Sequence, residues 1–416
     1  MEKSLNFRKN FIWKILGTSF NAFNSLFFMI AVTRINGLED AGVFTLAFST
    51  ACILYMIGIY AGRIYQVTES DKSITDKDYI ANRVISCVGI IIIGLIFVAI
   101  RGYDFYKSMI FVLLAIFKAL EALSDVFYGI MQKNDLLSKA GKSCFIKAVL
   151  SVVAFVVIDI ITKNLTYACA SIVIIFALII LFYDIKNVKN FIDSNTKVKI
   201  KSILNIFKNG FFTFAIAFLG LYMTNAPKYS IDSFLTEDIQ GIFGIIIMPA
   251  TVMSLLAQFL IHPYLNEFFE LYKNQQYDKL KKLLFKIIII IGVIGIAGSI
   301  AGYLLGTQIL GIVYGIDLSA YKVQLFMILI AATFYTMAGI ISPILITMRC
   351  TVIQFFVYMA ISVFEFVVCN ILVSKFNING AVNAYFITMI LYFLVFYVIS
   401  LRIINKKKML NNEGRN

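Results

Sequence analysis

The chain has 416 residues, of which 60% are hydrophobic and only 14% charged, and its mean hydropathy is +0.87. Soluble domains carry about a quarter charged residues, so an ordinary water-soluble globule is excluded and an all-α polytopic membrane protein is implied. A formal charge of +14, from 37 Lys and Arg against 23 Asp and Glu, raises the question of nucleic acid, which the placement of those charges answers.

Apolar runs long enough to cross a bilayer occur twelve times, at about 11–32, 42–62, 82–100, 108–132, 143–161, 165–183, 210–226, 240–261, 283–305, 322–348, 351–373 and 381–401. With both termini cytoplasmic, 26 basic residues fall in inward segments and 7 in outward loops, and the other four, Lys14, Arg83, Lys118 and Lys147, lie within spans. This bias is the topology signal of a membrane protein; it accounts for the basic charge without nucleic acid. The six cysteines lie in or at the edges of spans, and neither a disulfide framework nor a metal or cofactor motif is evident.

The first span carries a polar stripe, Lys14, Gly17, Thr18, Asn21, Asn24 and Ser25, within about 120° of one helix face. Lys14 is near enough to the cytoplasmic end to snorkel. Asn21 and Asn24 lie deeper, so they hydrogen-bond across helices or line a wet cavity. Before the second span, Leu38-Glu39-Asp40 has the acidic character of a helix N-terminus. The segment after it contains Arg63, Gln66 and Asp71, candidates for a cytoplasmic gate or for a loop held by Arg–carboxylate pairs.

The fourth span holds the densest polar stripe, Lys118, Glu121, Ser124, Asp125, Tyr128 and Gln132. Ionisable groups this deep face protein or a water-filled cavity, which makes the stripe a site candidate. Lys118 either pairs with Glu121 one turn away, leaving the stripe a buried polar seam between helices, or takes part in a functional site. In the fifth span, Lys147 lies at the same depth as Asp125, roughly 9 Å from the cytoplasmic end, which predicts a Lys147–Asp125 ion pair. The polar stretch 184–209, with Lys186, Lys189, Lys197, Lys199 and Lys201, reads as a linker with an amphipathic portion on the anionic leaflet.

In the second half, Thr236-Glu237-Asp238 repeats the acidic entry to a span, and Lys208-Asn209 repeats Lys9-Asn10. A six-span unit is thus used twice, its copies parallel and related by an axis along the membrane normal. The expected organisation is a first lobe at 1–183, a linker at 184–209, a second lobe at 210–401 and a basic tail at 402–416. Pro263, after the sole histidine His262, marks an expected helix stop. Glu365, the one acid of the eleventh span, is a candidate coupling group that takes up a proton or cation.

Three stretches bring in a family resemblance: Gly62-Arg63-Ile64-Tyr65-Gln66-Val67 with Asp71, Tyr79 and Arg83; Ser124-Asp125-Val126-Phe127-Tyr128-Gly129-Ile130-Met131-Gln132; and Asn225-Ala226-Pro227-Lys228-Tyr229 with Gly241-Ile242-Phe243 and Pro263. In these the sequence resembles the Wzx-like polysaccharide flippases of the multidrug/oligosaccharidyl-lipid/polysaccharide (MOP) exporter superfamily. It departs at Lys228, where arginine is the commoner residue of such relatives. The resemblance implies a two-lobed, V-shaped transporter, not an enzyme, that moves an undecaprenyl-pyrophosphate-linked oligosaccharide to the outer leaflet. It also implies proton or sodium coupling and glycosyltransferase or polymerase partners. Asn225 and Lys228 join Lys14, Asn21, Asn24, Lys118, Glu121, Asp125 and Lys147 as candidate substrate-binding residues. A drug or metabolite–cation antiporter of the same superfamily and a membrane polymerase or glycosyltransferase are the alternatives.

Overall fold

A computed structural model describes residues 2–60, 62–68, 74–193 and 196–413, with side chains described except at 2–9, Ile64, 256–263 and 411–413. Asp71, one of the three gate candidates, lies outside the described residues. Helices α1 (Glu2–Ile35), α2 (Leu38–Ile59), α3 (Gly62–Thr68), α4 (Asp76–Arg101), α5 (Phe105–Lys133), α6 (Leu137–Thr162), α7 (Leu165–Ile179) and α8 (Ile185–Val188) come first. Then follow α9 (Ile200–Phe234), α10 (Glu237–Lys273), α11 (Tyr277–Ala301), α12 (Thr307–Tyr314), α13 (Lys322–Thr347) and α14 (Thr351–Glu413). Among the described residues there is no strand. Two compact units result, Met1–Leu221 and Tyr222–Asn416, the division falling within α9.

Among the described residues, ten helical segments are long and apolar enough to span a membrane by length and composition alone. Two more complete the expected twelve. Helix α5 has the length but carries Lys118, Glu121 and Asp125 in its apolar stretch, and α14 is two helices, separated at Asn377 by a non-helical φ of 53° and ψ of −135°. The acidic entries are as expected: Glu39 and Asp40 occupy the first turn of α2, and Glu237 and Asp238 that of α10, where carboxylates meet the positive end of the helix dipole. The expected stop at Pro263 is overturned, since α10 continues to Lys273. A proline removes one N–H and crowds one carbonyl, and long membrane helices accommodate this by local adjustment.

In the first unit α1 lies against α6 at backbone distance. A Cβ at Gly141 would fall 2.5 Å from the Trp13 carbonyl carbon, and one at Gly17 would fall 2.6 Å from the Gly141 oxygen. Small residues here replace the hydrophobic drive that lipid cannot supply, allowing close van der Waals packing. On the other side of the bundle Gly58 of α2 meets Ala122 of α5 and Ile90 of α4. Interlocked rings fill the middle: Phe28 packs on Phe155 at 4.8 Å, Phe44 on Phe48 at 5.4 Å, and Phe117 on Phe176 at 4.8 Å. They close the bundle on one side of the polar stripes.

The stretch expected to lie on the membrane is tied into this unit. Lys186, Lys189, Lys197 and Lys201 are exposed, but Val188 and Ile206 join the core cluster beneath Val126, Ile130 and Met131 of α5. The N-terminus of α4 holds the connecting strand of chain through Lys77 Nζ to the Thr196 carbonyl (2.9 Å) and Asp78 Oδ1 accepting from Lys199 N–H (2.8 Å).

Candidate functional site

Beneath the rings a cavity of about 180 Å³ opens in the first unit. Lys14, Thr18 and Asn21 of α1 form one wall; Glu121, Ser124, Asp125 and Tyr128 of α5 form another. Gly141, Cys144 and Lys147 of α6 and Arg63 of α3 complete the polar lining, with Phe176 as the roof. The two stripes read from the sequence therefore meet across one cavity, because the glycine contact brings α1 close to α6 while both flank α5.

Three carboxylates organise its charge. Asp125 is held by two arginines, Arg63 Nη1 on Oδ1 at 3.3 Å and Arg83 Nη2 on Oδ2 at 3.1 Å. Arg83 is buried, and its other Nη donates to the Gly58 carbonyl at 2.7 Å; Arg63 is about a third exposed and donates also to Gln132 Oε1 at 3.0 Å. Glu121 accepts from Lys118 Nζ at 2.7 Å and from Asn21 Nδ2 at 2.9 Å, so the expected Lys118–Glu121 pair is present. Lys118 is buried among the rings of Phe48, Tyr55 and Phe117, whose negative faces favour a cation, and it does not line the cavity.

The expected Lys147–Asp125 pair is overturned. Lys147 is ion-paired with Asp184 and donates to Ser124 Oγ at 2.6 Å and Tyr128 OH at 3.3 Å. Asp184, fully buried, also accepts from Ser143 Oγ at 2.5 Å. Asp184 ends a π-type turn, Ile180–Asp184, whose wider spacing re-aims the carboxylate relative to a continuous α-helix. The depth argument that matched Lys147 to Asp125 applies equally to Asp184, placed in sequence at the inner end of the sixth span. That was the available signal, and two arginines on Asp125 decided the competition.

The remaining candidates separate. Asn24 bonds Ser151 Oγ of α6 at 3.4 Å and stays off the cavity, a cross-helix bond as its depth required. Gln66 is buried with its amide against Gly129 and donates to the Val126 carbonyl at 3.3 Å; it pins α3 to α5. In the second unit Lys228 Nζ donates to Asn225 Oδ1 at 3.0 Å. Glu365 is fully buried in α14, and neither carboxylate oxygen has a hydrogen-bond partner among the described residues.

Around the cavity stand five cations, Lys14, Arg63, Arg83, Lys118 and Lys147, and three carboxylates, Glu121, Asp125 and Asp184, an excess of two positive charges. Lys14 is exposed and has no carboxylate partner among the described residues, and Arg63 shares a carboxylate already held by Arg83. Both free valences face the cavity.

Comparison with solved structures agrees with this architecture. An inward-facing multidrug-resistance MATE-family transporter of the MOP superfamily matches with a TM-score of 0.71 at 13% identity, covering 95% of this chain and 99% of that one. The lipid II flippase MurJ in an inward closed conformation matches with a TM-score of 0.69 at 15% identity, over 96% and 90%. The fold is that of the MOP-superfamily transporters. In sequence, the chain is 27% identical over 393 residues to the Staphylococcus aureus capsular polysaccharide biosynthesis protein CapF, covering 90% of this chain and 94% of that protein. No protein-family model matches the chain.

Proposed function

We propose that the protein is a flippase that moves an undecaprenyl-pyrophosphate-linked oligosaccharide from the cytoplasmic to the outer leaflet by alternating access. The observation that carries this reading is the cationic excess of a membrane-embedded cavity. Two positive charges without a carboxylate of their own, Lys14 and Arg63, face this cavity, so it suits an anion of matching charge. A pyrophosphate head group supplies it. Lys14 and Arg63 take the phosphate oxygens. Arg63 turns from Asp125 to substrate while Arg83 keeps that carboxylate neutralised, and Lys147 with Ser124 and Tyr128 lines the path inward. The same charge balance disfavours a cationic drug as cargo.

The similarity to a capsular polysaccharide biosynthesis protein supports a glycan-linked substrate, and the fold shared with a protein named as a lipid II flippase supports a lipid-linked one. Within the second lobe, residues 210–401, Asn225 and Lys228 are the candidate substrate-binding residues, and Glu365 is the group there that binds a coupling proton or sodium ion. Glycosyltransferases and a polymerase act before and after it. Both termini are cytoplasmic in the cell membrane.

Deleting the gene is expected to accumulate complete lipid-linked repeat units on the cytoplasmic leaflet, accessible to a glycan-modifying reagent only after permeabilisation. Accumulation on the outer leaflet, unpolymerised, would instead identify a polymerase.

A further inference from the structure

A second cluster of cations stands in the second unit, where α11 begins and α14 ends. Lys281 Nζ donates to Asn405 Oδ1, Lys408 is ion-paired with Asp278 at 2.7 Å, and Lys407 Nζ donates to Tyr272 OH of α10 at 2.7 Å. The first two bonds join α11 to the later half of α14 and fix an antiparallel register, Lys281 level with Asn405 and Asp278 level with Lys408. Lys282 is then level with Ile404, Lys286 with Ser400, Arg402 with Leu284 and Lys406 with Leu280. These four cations therefore fall within about six residues of helix rise, roughly 9 Å. All four are exposed, and among the described residues none forms an ion pair.

They also point the same way. At about 100° per residue, Lys282 and Lys286 are turned roughly 100° and 140° around α11 from Lys281, and Arg402 and Lys406 roughly 60° and 100° around α14 from Asn405. Because the helices are antiparallel, equal senses of rotation carry both pairs to one side of the seam, with Leu283, Leu284, Ile287 and Ile404 buried behind them. No acid balances them from these helices: α11 has none after Asp278, and α14 none between Glu365 and Glu413. Phe285 stands exposed between Lys282 and Lys286, and beyond it the outer faces are apolar, with Ile289 on α11 and Val398 and Leu394 on α14 exposed. Four uncompensated cations thus border a bare apolar strip that continues along the spanning parts of both helices. A free anion or an acidic soluble protein satisfies the cations and leaves the strip uncovered. A lipid satisfies both, its phosphate among the cations and its acyl chains along the strip.

We propose that the seam between α11 and the later half of α14 binds an anionic glycerophospholipid, with phosphatidylglycerol as the probe. Lys282, Lys286, Arg402 and Lys406 hold the phosphodiester, and Phe285 with Ile289 and Val398 receives the chains. The lipid bridges α11 and α14 on their outer side, beside the Lys281–Asn405 and Asp278–Lys408 bonds. Which leaflet supplies it rests on the topology of the flippase reading; the binding does not, and is measured without substrate.

The test is quenching of a single tryptophan by lipids brominated on their acyl chains, in full-length protein held in mixed micelles of a neutral detergent. Trp13→Phe removes the native tryptophan, Phe285→Trp reports the seam, and Ile174→Trp, at an exposed position of α7 in the first unit, reports ordinary lipid contact. Brominated phosphatidylglycerol is expected to quench at position 285 at a mole fraction about tenfold below that of brominated phosphatidylcholine, and at position 174 the two are expected to quench alike. Adding Lys282→Gln, Lys286→Gln, Arg402→Gln and Lys406→Gln is expected to bring the two curves at position 285 together. Should that variant fail to fold, Lys282→Gln with Lys286→Gln, or Arg402→Gln with Lys406→Gln, is expected to shrink the difference by about threefold. Equal quenching by the two lipids at position 285 would overturn the proposal. A phosphatidylglycerol preference of the same size at position 174 would do so too, since it reflects only the general attraction of a chain of net charge +14. A preference at position 285 that survives the substitutions, or that inorganic phosphate abolishes at matched ionic strength, would likewise rule out a lipid held by these cations.

Discussion

Replacing Asp184 by Asn leaves the Lys147 ammonium buried with only neutral partners, the hydroxyls of Ser124 and Tyr128 and the amide oxygen of the new side chain. Breaking one side of a buried ion pair typically costs about 3–5 kcal/mol, because the surviving charge is stranded without hydration. These neutral acceptors soften this, so Asp184→Asn is expected to destabilise by about 3 kcal/mol. Removing both charges, as Lys147→Met with Asp184→Leu, removes the desolvation penalty together with the attraction. The double variant is therefore expected within about 1 kcal/mol of the parent. Trp13, the sole tryptophan, packs edge-on to Phe145 of α6 at 5.8 Å and so reports α1–α6 separation during unfolding of micellar protein by a denaturing detergent. A double-mutant cycle is expected to give about 2–3 kcal/mol of coupling between Lys147 and Asp184 and below about 0.5 kcal/mol between Lys147 and Asp125. Larger coupling of Lys147 to Asp125 than to Asp184 would refute the pairing and restore the one expected from depth alone.

Arg63→Gln is expected to leave unfolding nearly unchanged, since Arg83 still holds Asp125, but to reduce export of surface glycan at least tenfold at equal protein level. Arg83→Gln strips the buried partner of Asp125 and is expected to lower stability first, seen as lost protein in membranes and a reduced unfolding midpoint. Exchanging charges as Lys118→Glu with Glu121→Lys is not expected to restore stability: a glutamate at 118 meets the negative faces of Phe48, Tyr55 and Phe117, and a lysine at 121 meets the Asn21 amide N–H. Recovery to the parent midpoint would show the rings and Asn21 to be indifferent to sign. Gly141→Ala forces a Cβ onto the Trp13 carbonyl and is expected to separate α1 from α6, lowering the midpoint and changing Trp13 emission. Single cysteines at Lys189 and Lys163 in a cysteine-free background are expected to be shielded from and labelled by an impermeant thiol reagent in intact cells, respectively; the opposite pattern would invert the topology.

Asp184 and Asp159 bear on how such a bundle keeps its polar groups. Each ends a helix at one face of the first unit, one neutralised by a lysine from the neighbouring helix and the other by no side-chain cation among the described residues. Ionisable groups survive in lipid only with a partner or a purpose. The pairing of Asp184 gives the cavity its inner boundary.

What the sequence determined by itself was whatever hydrophobicity and helical period control. Twelve apolar runs of bilayer length, the acidic helix entries at Leu38 and Glu237, and the two polar stripes on α1 and α5 all follow from local rules, and all are present in the folded chain. The Lys118–Glu121 pair was legible because one turn of helix fixes its geometry. Tertiary structure decided the pairings between helices. Lys147, Arg63, Arg83, Asp125 and Asp184 lie at similar depths near one end of their helices, and depth is all that a hydropathy reading measures. Which of them meet depends on the rotation of each helix about its axis, set by close contacts such as Gly17 with Gly141 and Gly58 with Ala122, and by the π-type turn before Asp184. Nor did composition mark Asp159 or Asn36 as partners, since 123 residues separate them and only the antiparallel return of the chain through α2, α4 and α5 brings the end of α6 beside the end of α1.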